Sequence, residues 1–273
     1  MATVSKIGNE LTVDLTETAD QTPGAVNCSY AVAEACVAYV VKMLADPTLP
    51  SNAGLMKPVS VLTRPGSLVS AVFPAPVANG NTQTAQRLVD VLLGAFEHFL
   101  PDRVPAASSG SMSILTVGGW DERTCRYFSY IETYGGGQGA LPGQNGADAT
   151  HTHMTNTRNT PCEVIEREYP LRVNRYAIAR GTGGRGVHRG GDGLIRDVTL
   201  TRGTATAVVA TSRVESGPWG LQGGDAGAPA RIQLSKDNVT ADLEAMSSST
   251  LRAGDSIVIQ TAGGGGYGRD SAK

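Results

Sequence analysis

Residues 126–139 read RYFSYIETYGGGQG. Within this segment an alternating pattern, typical of a strand, gives way to a run of glycines. Over its first half, neighbouring side chains alternate in the way that a strand with two different faces requires. A glycine cluster follows at once, and 25 of the 34 glycines of the chain lie after residue 134. The pattern therefore predicts helices and strands in residues 1–110 and a region rich in strands and glycine from residue 111 onward.

The first 110 residues predict a β-α-β-α unit, with strands at 11–15 and 58–62. The first helix begins near Asn27 or Ser29 and ends before Pro47, because proline disfavours helical geometry in the residue that precedes it. The second helix begins near residue 81 and ends before Pro101. The expected apolar stripes are Tyr30, Ala33, Val37, Val40 and Leu44 in the first helix and Leu88, Val91, Leu92, Ala95 and Phe99 in the second.

Residues 111–273 predict a β-rich half, built as a sandwich or a partly closed barrel. The fold class is therefore α+β, with an N-terminal β-α-β-α unit (1–110) packed on a glycine-rich, mainly antiparallel C-terminal half. No low-complexity linker separates the two regions, so we expect one continuous globule. The candidate strands are residues 112–117, 126–132, 163–165, 176–179, 194–200, 206–211, 231–234 and 256–260.

Composition excludes several classes of function. The net charge of −2 and the sequence pI of about 6.1 disfavour binding to nucleic acid or to an anionic membrane surface. The longest apolar stretch, residues 31–44, contains two charges and is shorter than the roughly 20 residues of a bilayer span. The N-terminus carries no signal-peptide pattern, and the four cysteines lack CxxC spacing. We therefore expect a cytoplasmic protein whose cysteines are buried, small apolar residues.

The densest polar segment is HTHMTNTRNTP, residues 151–161. If this segment is extended, His151 and His153 project to one face, and two imidazoles so placed can chelate a divalent metal. The alternative is that these histidines bond neighbouring loops or a partner chain. Both histidines are candidate catalytic residues.

Arg158 lies between Asn156 and Asn159 in the same segment. Its planar guanidinium can bind a carboxylate or a phosphate with two parallel hydrogen bonds. We predict a catalytic role for Arg158 and substrate binding for the two asparagines; the alternative is an arginine that ties loops together.

Three glycine clusters occupy the second half, at residues 134–139, 181–186 and 263–268. Glycine permits positive φ and lets backbone N–H groups converge on an anion, which makes Gly136 and Gly137 candidates for substrate binding. Neither of the first two clusters matches a nucleotide-binding fingerprint, and the alternative is that they let loops cross at close range. The third is either an ordered loop anchored by Tyr267 or a flexible end.

His188 stands in the sequence HRGGDG, on a glycine-rich turn before a predicted strand. An imidazole titrates near neutrality, so His188 is a candidate for acid–base catalysis. The alternative is that it braces a loop.

Seven segments of the chain resemble the hydantoinase B/oxoprolinase family, which includes N-methylhydantoinase B, 5-oxoprolinase and a subunit of acetone and acetophenone carboxylases. The resemblance extends from about residue 11 to residue 269. The segments are NGNTQTAQRLVD (79–90), PDRVPAAS (101–108), residues 151–161, YPLRV (169–173), HRGGDG (188–193), PWGL (218–221) and residues 263–268.

The resemblance implies a subunit of an ATP-dependent complex that opens cyclic amides (hydantoins, 5-oxoproline, lactams) or carboxylates ketones. A hydantoinase A-type partner binds ATP and Mg²⁺ and phosphorylates the small-molecule substrate. This chain matches only the C-terminal half of the usual B polypeptide, whose first half carries the segments expected to hold a divalent metal (Zn or Mn). The resemblance therefore implies that a further chain supplies the missing half and most of the metal ligands, or that this is a reduced member.

The resulting prediction is that this chain contributes part of a shared active site and is inactive alone. The alternatives are a non-catalytic structural subunit that bridges catalytic partners, and an autonomous metal-dependent hydrolase. The sequence does not choose between ring opening and carboxylation.

Overall fold

The computed structural model describes residues 1–237 and 239–269 and divides into two compact units, Met1–Pro105 and a second that begins at Ala106. Mixed helices and strands in the first unit and antiparallel strands in the second confirm the predicted α+β class. The packing of the two regions as one globule stays a prediction. None of the helices in the described ranges has both the length and the apolar character to span a membrane.

The first unit contains a three-stranded sheet and two helices that pack against each other. Strand β2 pairs antiparallel with β1 and parallel with β3, and helix α1 forms the crossover between the two parallel strands. A short π-helical turn, Gly80–Thr84, leads into helix α2. The elements are β1 (Thr3–Ile7), β2 (Glu10–Asp14), α1 (Tyr30–Ala45), β3 (Val59–Leu62) and α2 (Ala85–Phe96).

Three residues of the predicted apolar stripes are exposed and not buried. Val91 and Phe99 do not lie on the buried face of α2, which is formed instead by Leu88, Val89, Leu92, Leu93 and Phe96. Helix α2 ends at Phe96, so Phe99 follows it and is exposed. In α1 the predicted stripe is buried except at its first residue, Tyr30, which is exposed at the start of the helix.

The second unit is built from two antiparallel sheets with an apolar core between them. One sheet has the order β10-β9-β12-β7-β6 and the other β11-β8-β4-β5. Side chains from both sheets form one buried cluster, as the alternating pattern predicts. The elements are β4 (Ile114–Asp121), β5 (Arg126–Thr133), α3 (Cys162–Glu168), β6 (Leu171–Ala179), β7 (Gly193–Leu200), β8 (Thr204–Ala210), β9 (Arg231–Lys236), β10 (Val239–Asp242), β11 (Met246–Arg252) and β12 (Ser256–Gln260).

The predicted strand at residues 163–165 is wrong, because these residues belong to helix α3. Pro161 precedes the helix, Glu163 lies in its first turn and Arg167 in its last, which suits the helix dipole at both ends. Ile165 is fully buried at helical spacing from Tyr169. Strands β1, β10 and β11 are additional elements that the pattern did not predict.

The cysteines follow the expectation only in the first unit. Cys28 and Cys36 are buried, and burial raises the pKa of the first thiol to about 11 and that of the second to about 12. Cys125 is exposed on the turn between β4 and β5, and Cys162 is half-buried, so the prediction of four buried cysteines is wrong for these two.

Candidate functional site

The histidine loop, defined as residues 151–160, begins beside the glycine clusters, where Thr150 forms an antiparallel bridge with Gly136. The loop is not an extended strand. His153 has φ +57° and forms a turn with Met154. Strand alternation therefore does not place His151 and His153 on one face, and this part of the sequence prediction is wrong.

Three bonds fix the last part of the loop to the end of β5. The Thr157 and Thr133 hydroxyls lie 2.9 Å apart, and the Asn159 side-chain amide donates to the Thr133 carbonyl at 2.8 Å. The backbone N–H of Thr160 donates to the Glu132 carboxylate. The loop is therefore held by a strand of the core sandwich.

Asn159 is also held from the other sheet. The Tyr176 hydroxyl, on β6, donates to the Asn159 side-chain oxygen at 2.8 Å. With both ends of its amide bonded to protein groups, Asn159 braces the loop in this structure, and its predicted role in substrate binding stays a prediction.

His151 is half-buried, and one of its ring nitrogens is held by the loop itself. Nε2 lies 3.2 Å from the Thr157 hydroxyl. Nδ1 is buried and makes no hydrogen bond within the described ranges. Burial lowers the pKa of His151, and the negative charge of Glu132 opposes that shift. The imidazole is therefore neutral near pH 7, a form that can accept a proton.

Arg158 and Asn156 are exposed on the same loop. The Arg158 guanidinium makes no ion pair or hydrogen bond with any residue that the structure describes. No contact in the described residues supports the alternative in which Arg158 ties loops together. Its guanidinium is exposed, and its predicted role in anion binding stays a prediction.

His188 lies outside the histidine loop. Its backbone pairs with Tyr267 through two hydrogen bonds of 3.0 Å and 2.9 Å, and its side chain is half-buried. This pairing orders the last glycine cluster, as in the predicted alternative of an ordered loop anchored by Tyr267. The backbone of His188 thus braces a loop, and acid–base catalysis by its side chain stays a prediction.

Gly136 and Gly137 are buried where backbones cross. The Gly136 N–H donates to the Thr150 carbonyl at 3.0 Å, and the Gly137 N–H donates to the Ala262 carbonyl at 2.9 Å. A Cβ at Gly137 would overlap the backbone of Gly191 and of the last glycine cluster. Neither N–H is available to an anion in this structure, and close packing is the physical reason for glycine at both positions.

The same crossing unites all three glycine clusters into one layer, which we call the glycine belt. Backbone hydrogen bonds join its segments. Examples are Gly264 N–H to the Gly191 carbonyl and Gly191 N–H to the Gln138 carbonyl, both at 2.8 Å. The belt consists of residues 135–139, 181–186, 188–193, 217–227 and 263–268.

The described residues do not fit a divalent metal by themselves. Within residues 1–237 and 239–269, no three His, Cys, Asp or Glu side chains come together as a ligand set. Zn and Mn sites need three or four such ligands. A metal at the histidine loop would require ligands from another chain.

The sequence interpretation missed a buried ion pair directly behind the histidine loop. Arg196, on β7, donates to the Glu132 carboxylate at 3.2 Å, and their side chains are 0% and 6% exposed. The Tyr130 hydroxyl donates to the same carboxylate at 2.6 Å, and burial raises the pKa of Tyr130, so this hydroxyl keeps its proton. The guanidinium carbon of Arg196 lies 4.5 Å from the centre of the Tyr176 ring.

A pattern in the sequence could have revealed this pair. Glu132 alternates with Phe128, Tyr130 and Tyr134, and Arg196 stands at the same two-residue spacing from Leu194 and Val198. One acidic and one basic residue, each on an otherwise apolar strand face, are typical of a buried pair, since an isolated buried charge is very costly.

Known proteins resemble this chain along nearly its whole length. The sequence matches the hydantoinase B/oxoprolinase family over residues 1–270. It is 36% identical to 5-oxoprolinase 1 of Arabidopsis thaliana, covering 97% of this chain and 20% of that protein. It is 33% identical to a putative B-type component of the D-/L-hydantoinase of a Pseudomonas species, covering 97% of this chain and 46% of that one.

A solved structure shares the fold. The ATP-dependent caprolactamase of Pseudomonas jessenii superimposes with a TM-score of 0.84 at 26% identity, over 99% of this chain and 49% of that chain. The chain thus spans half or less of the length of each of these relatives. The family match over almost all of its residues shows that the chain belongs to the hydantoinase B/oxoprolinase family.

Proposed function

We propose that this chain is a subunit of an ATP-dependent complex of the hydantoinase, oxoprolinase or carboxylase type, acting on a phosphorylated ketone or cyclic amide. Its histidine loop contributes part of an active site shared with companion chains. The observation that carries this proposal is the exposed, unbonded guanidinium of Arg158, on a loop that is anchored to the buried carboxylate of Glu132. A preorganised loop that presents a free cation suits recognition of an anionic group.

The proposed companions are a hydantoinase A-type ATP-binding subunit and a chain that supplies the other half of the B-type fold. The second companion is proposed because this chain corresponds to 46% of the B-type hydantoinase relative. ATP with Mg²⁺, bound by the first companion, would convert a poor leaving oxygen into a phosphate ester. Any Zn or Mn ion would be held mainly by a companion, and the complex is proposed to be cytoplasmic.

The roles of this chain's own residues follow from their surroundings. The neutral imidazole of His151 takes a proton from the substrate or returns one to it. Arg158 binds a carboxylate or phosphate oxygen, and Asn156, exposed two residues before it, adds a hydrogen bond. His153 and His188 remain further candidates for catalysis.

Replacement of His151 by asparagine is expected to lower turnover by about 100-fold or more, because positioned acid–base groups contribute on that scale. The measurement is substrate-dependent ATP hydrolysis by the reconstituted complex, with hydantoins or lactams in one series and ketones plus bicarbonate in another. His98→Asn, which changes an exposed histidine of the first unit, is the matched control and should leave the rate unchanged.

Arg158→Ala is expected to raise KM by about 10- to 100-fold, the range expected for loss of a hydrogen bond to a charged group. Arg252→Ala, which removes an exposed arginine of β11, serves as the control for charge. Unchanged KM and kcat in Arg158→Ala would contradict anion binding by this residue.

A structural subunit is the second candidate function, and the outer face of β4 and β5 favours it. Trp120, Tyr127 and Ile131 are exposed there, and the two aromatic rings meet edge to face at 5.1 Å. Exposed aromatic residues of this kind are common at protein interfaces. Full turnover by a complex containing both His151→Asn and Arg158→Ala would favour this alternative.

A further inference from the structure

Burying the charges of Glu132 and Arg196 costs a desolvation free energy that can exceed the attraction between them. Removing two charges from water costs several kcal/mol per ion, and apolar side chains of similar volume often stabilise a core equally well. The pair also joins the two sheets, since Glu132 comes from β5 and Arg196 from β7. Its presence therefore calls for a function beyond filling the core.

Glu132 and its neighbour Thr133 hold the histidine loop directly. One carboxylate oxygen of Glu132 accepts the Thr160 N–H, while the other accepts from Arg196 and from Tyr130. Thr133 bonds Thr157, whose hydroxyl lies at Nε2 of His151. The carboxylate that receives the Arg196 guanidinium is thus an anchor of the loop that carries His151.

Arg196 reaches the loop by a second route. Its guanidinium lies over the Tyr176 ring, and the Tyr176 hydroxyl donates to Asn159. A guanidinium packed on an aromatic face stabilises that ring's position; here the guanidinium is buried and Tyr176 is 46% exposed. Both members of the pair therefore constrain residues 157–160, each from its own sheet.

We propose that Glu132 and Arg196 are positioning residues, which fix the histidine loop so that His151 and Arg158 meet the substrate in one geometry. The proposal rests on the proposed function for its chemical consequence. Its structural half, the ordering of residues 151–160, can be tested on the full chain without substrate or companions.

The test uses the double variant E132Q/R196M, because either single change leaves a buried charge unpaired. The double variant carries no buried charge at these positions, and it replaces the carboxylate that accepts from Thr160 by a neutral amide, which binds an N–H less strongly. We expect the backbone N–H of Thr160, which donates to Glu132, to exchange about tenfold faster or more, while strands β4 and β8 keep their protection. R231M/D242N, which removes the exposed pair between Arg231 and Asp242 on β9 and β10, is the matched control.

A second readout separates positioning from general loosening of the core. In the reconstituted complex, kcat should fall at least tenfold with a smaller change in KM.

Unchanged exchange of the Thr160 N–H, with a folded double variant, overturns the positioning role. An equal increase of exchange in β4, β8 and the loop also overturns it, since that result describes a purely structural pair. Faster exchange in the loop together with full turnover by His151→Asn leaves the positioning intact and contradicts the proposed function instead. The failures of the two proposals are therefore distinguishable.

Discussion

Alanine at Gly264 is expected to destabilise the second unit by about 3 kcal/mol or more, because overpacking that the surroundings cannot relax reaches this range. A Cβ at this position would overlap the carbonyl group of Gln138, and Gly139 lies behind it. All these atoms are backbone atoms of the glycine belt, so no side chain can rotate away. Denaturant unfolding followed by tryptophan fluorescence measures the effect, since both tryptophans, Trp120 and Trp219, lie in this unit.

The control for Gly264→Ala is Gly118→Ala on β4. There a Cβ would meet only the Phe128 carbonyl at an ordinary contact distance of 3.5 Å. We expect a change within about 1 kcal/mol, because alanine also reduces the freedom of the unfolded chain. Similar stability of the two variants would contradict the account of the belt as closely crossed backbone.

Arg196→Met is expected to lower the free energy of unfolding of the second unit by about 3–5 kcal/mol, since it leaves the Glu132 carboxylate buried and unpaired. The double variant E132Q/R196M should recover much of this loss, which makes the two changes strongly non-additive. Arg231→Met breaks an exposed pair and should cost less than about 1 kcal/mol.

The same denaturant experiment measures all these variants. Additive effects of the two single changes would show that Glu132 and Arg196 do not depend on each other. A loss in Arg196→Met no larger than that in Arg231→Met would contradict the buried character of the pair.

Much of the fold is predictable because it follows from repeating patterns. The apolar stripe of α1 and the alternation in β5, β7 and β12 are repeated over several residues, and each is confirmed by burial. Failures occur where few residues carry the signal. Residues 163–165 are too short a segment to distinguish strand from helix, and their helix depends on Pro161 and on the burial of Ile165.

The candidate site is less predictable, because its geometry comes from segments far apart in the sequence. The turn at His153 cannot be read from the alternation of polar residues around it. The anchors of the loop, Glu132 and Tyr176, are 28 and 17 residues from their partners Thr160 and Asn159. Glycine clusters indicate close crossings as one alternative, but which backbones cross depends on the tertiary fold.

Ile131 lies on the exposed outer face of β5, next to the residue that anchors the histidine loop from the inside. Ile131 faces outward on β5, and the next residue, Glu132, faces inward and accepts the Thr160 N–H. Successive side chains of a strand point to opposite faces, so these two residues are separated by one peptide unit. A companion chain bound to the outside of β5 would therefore lie one residue away from the buried anchor of the histidine loop.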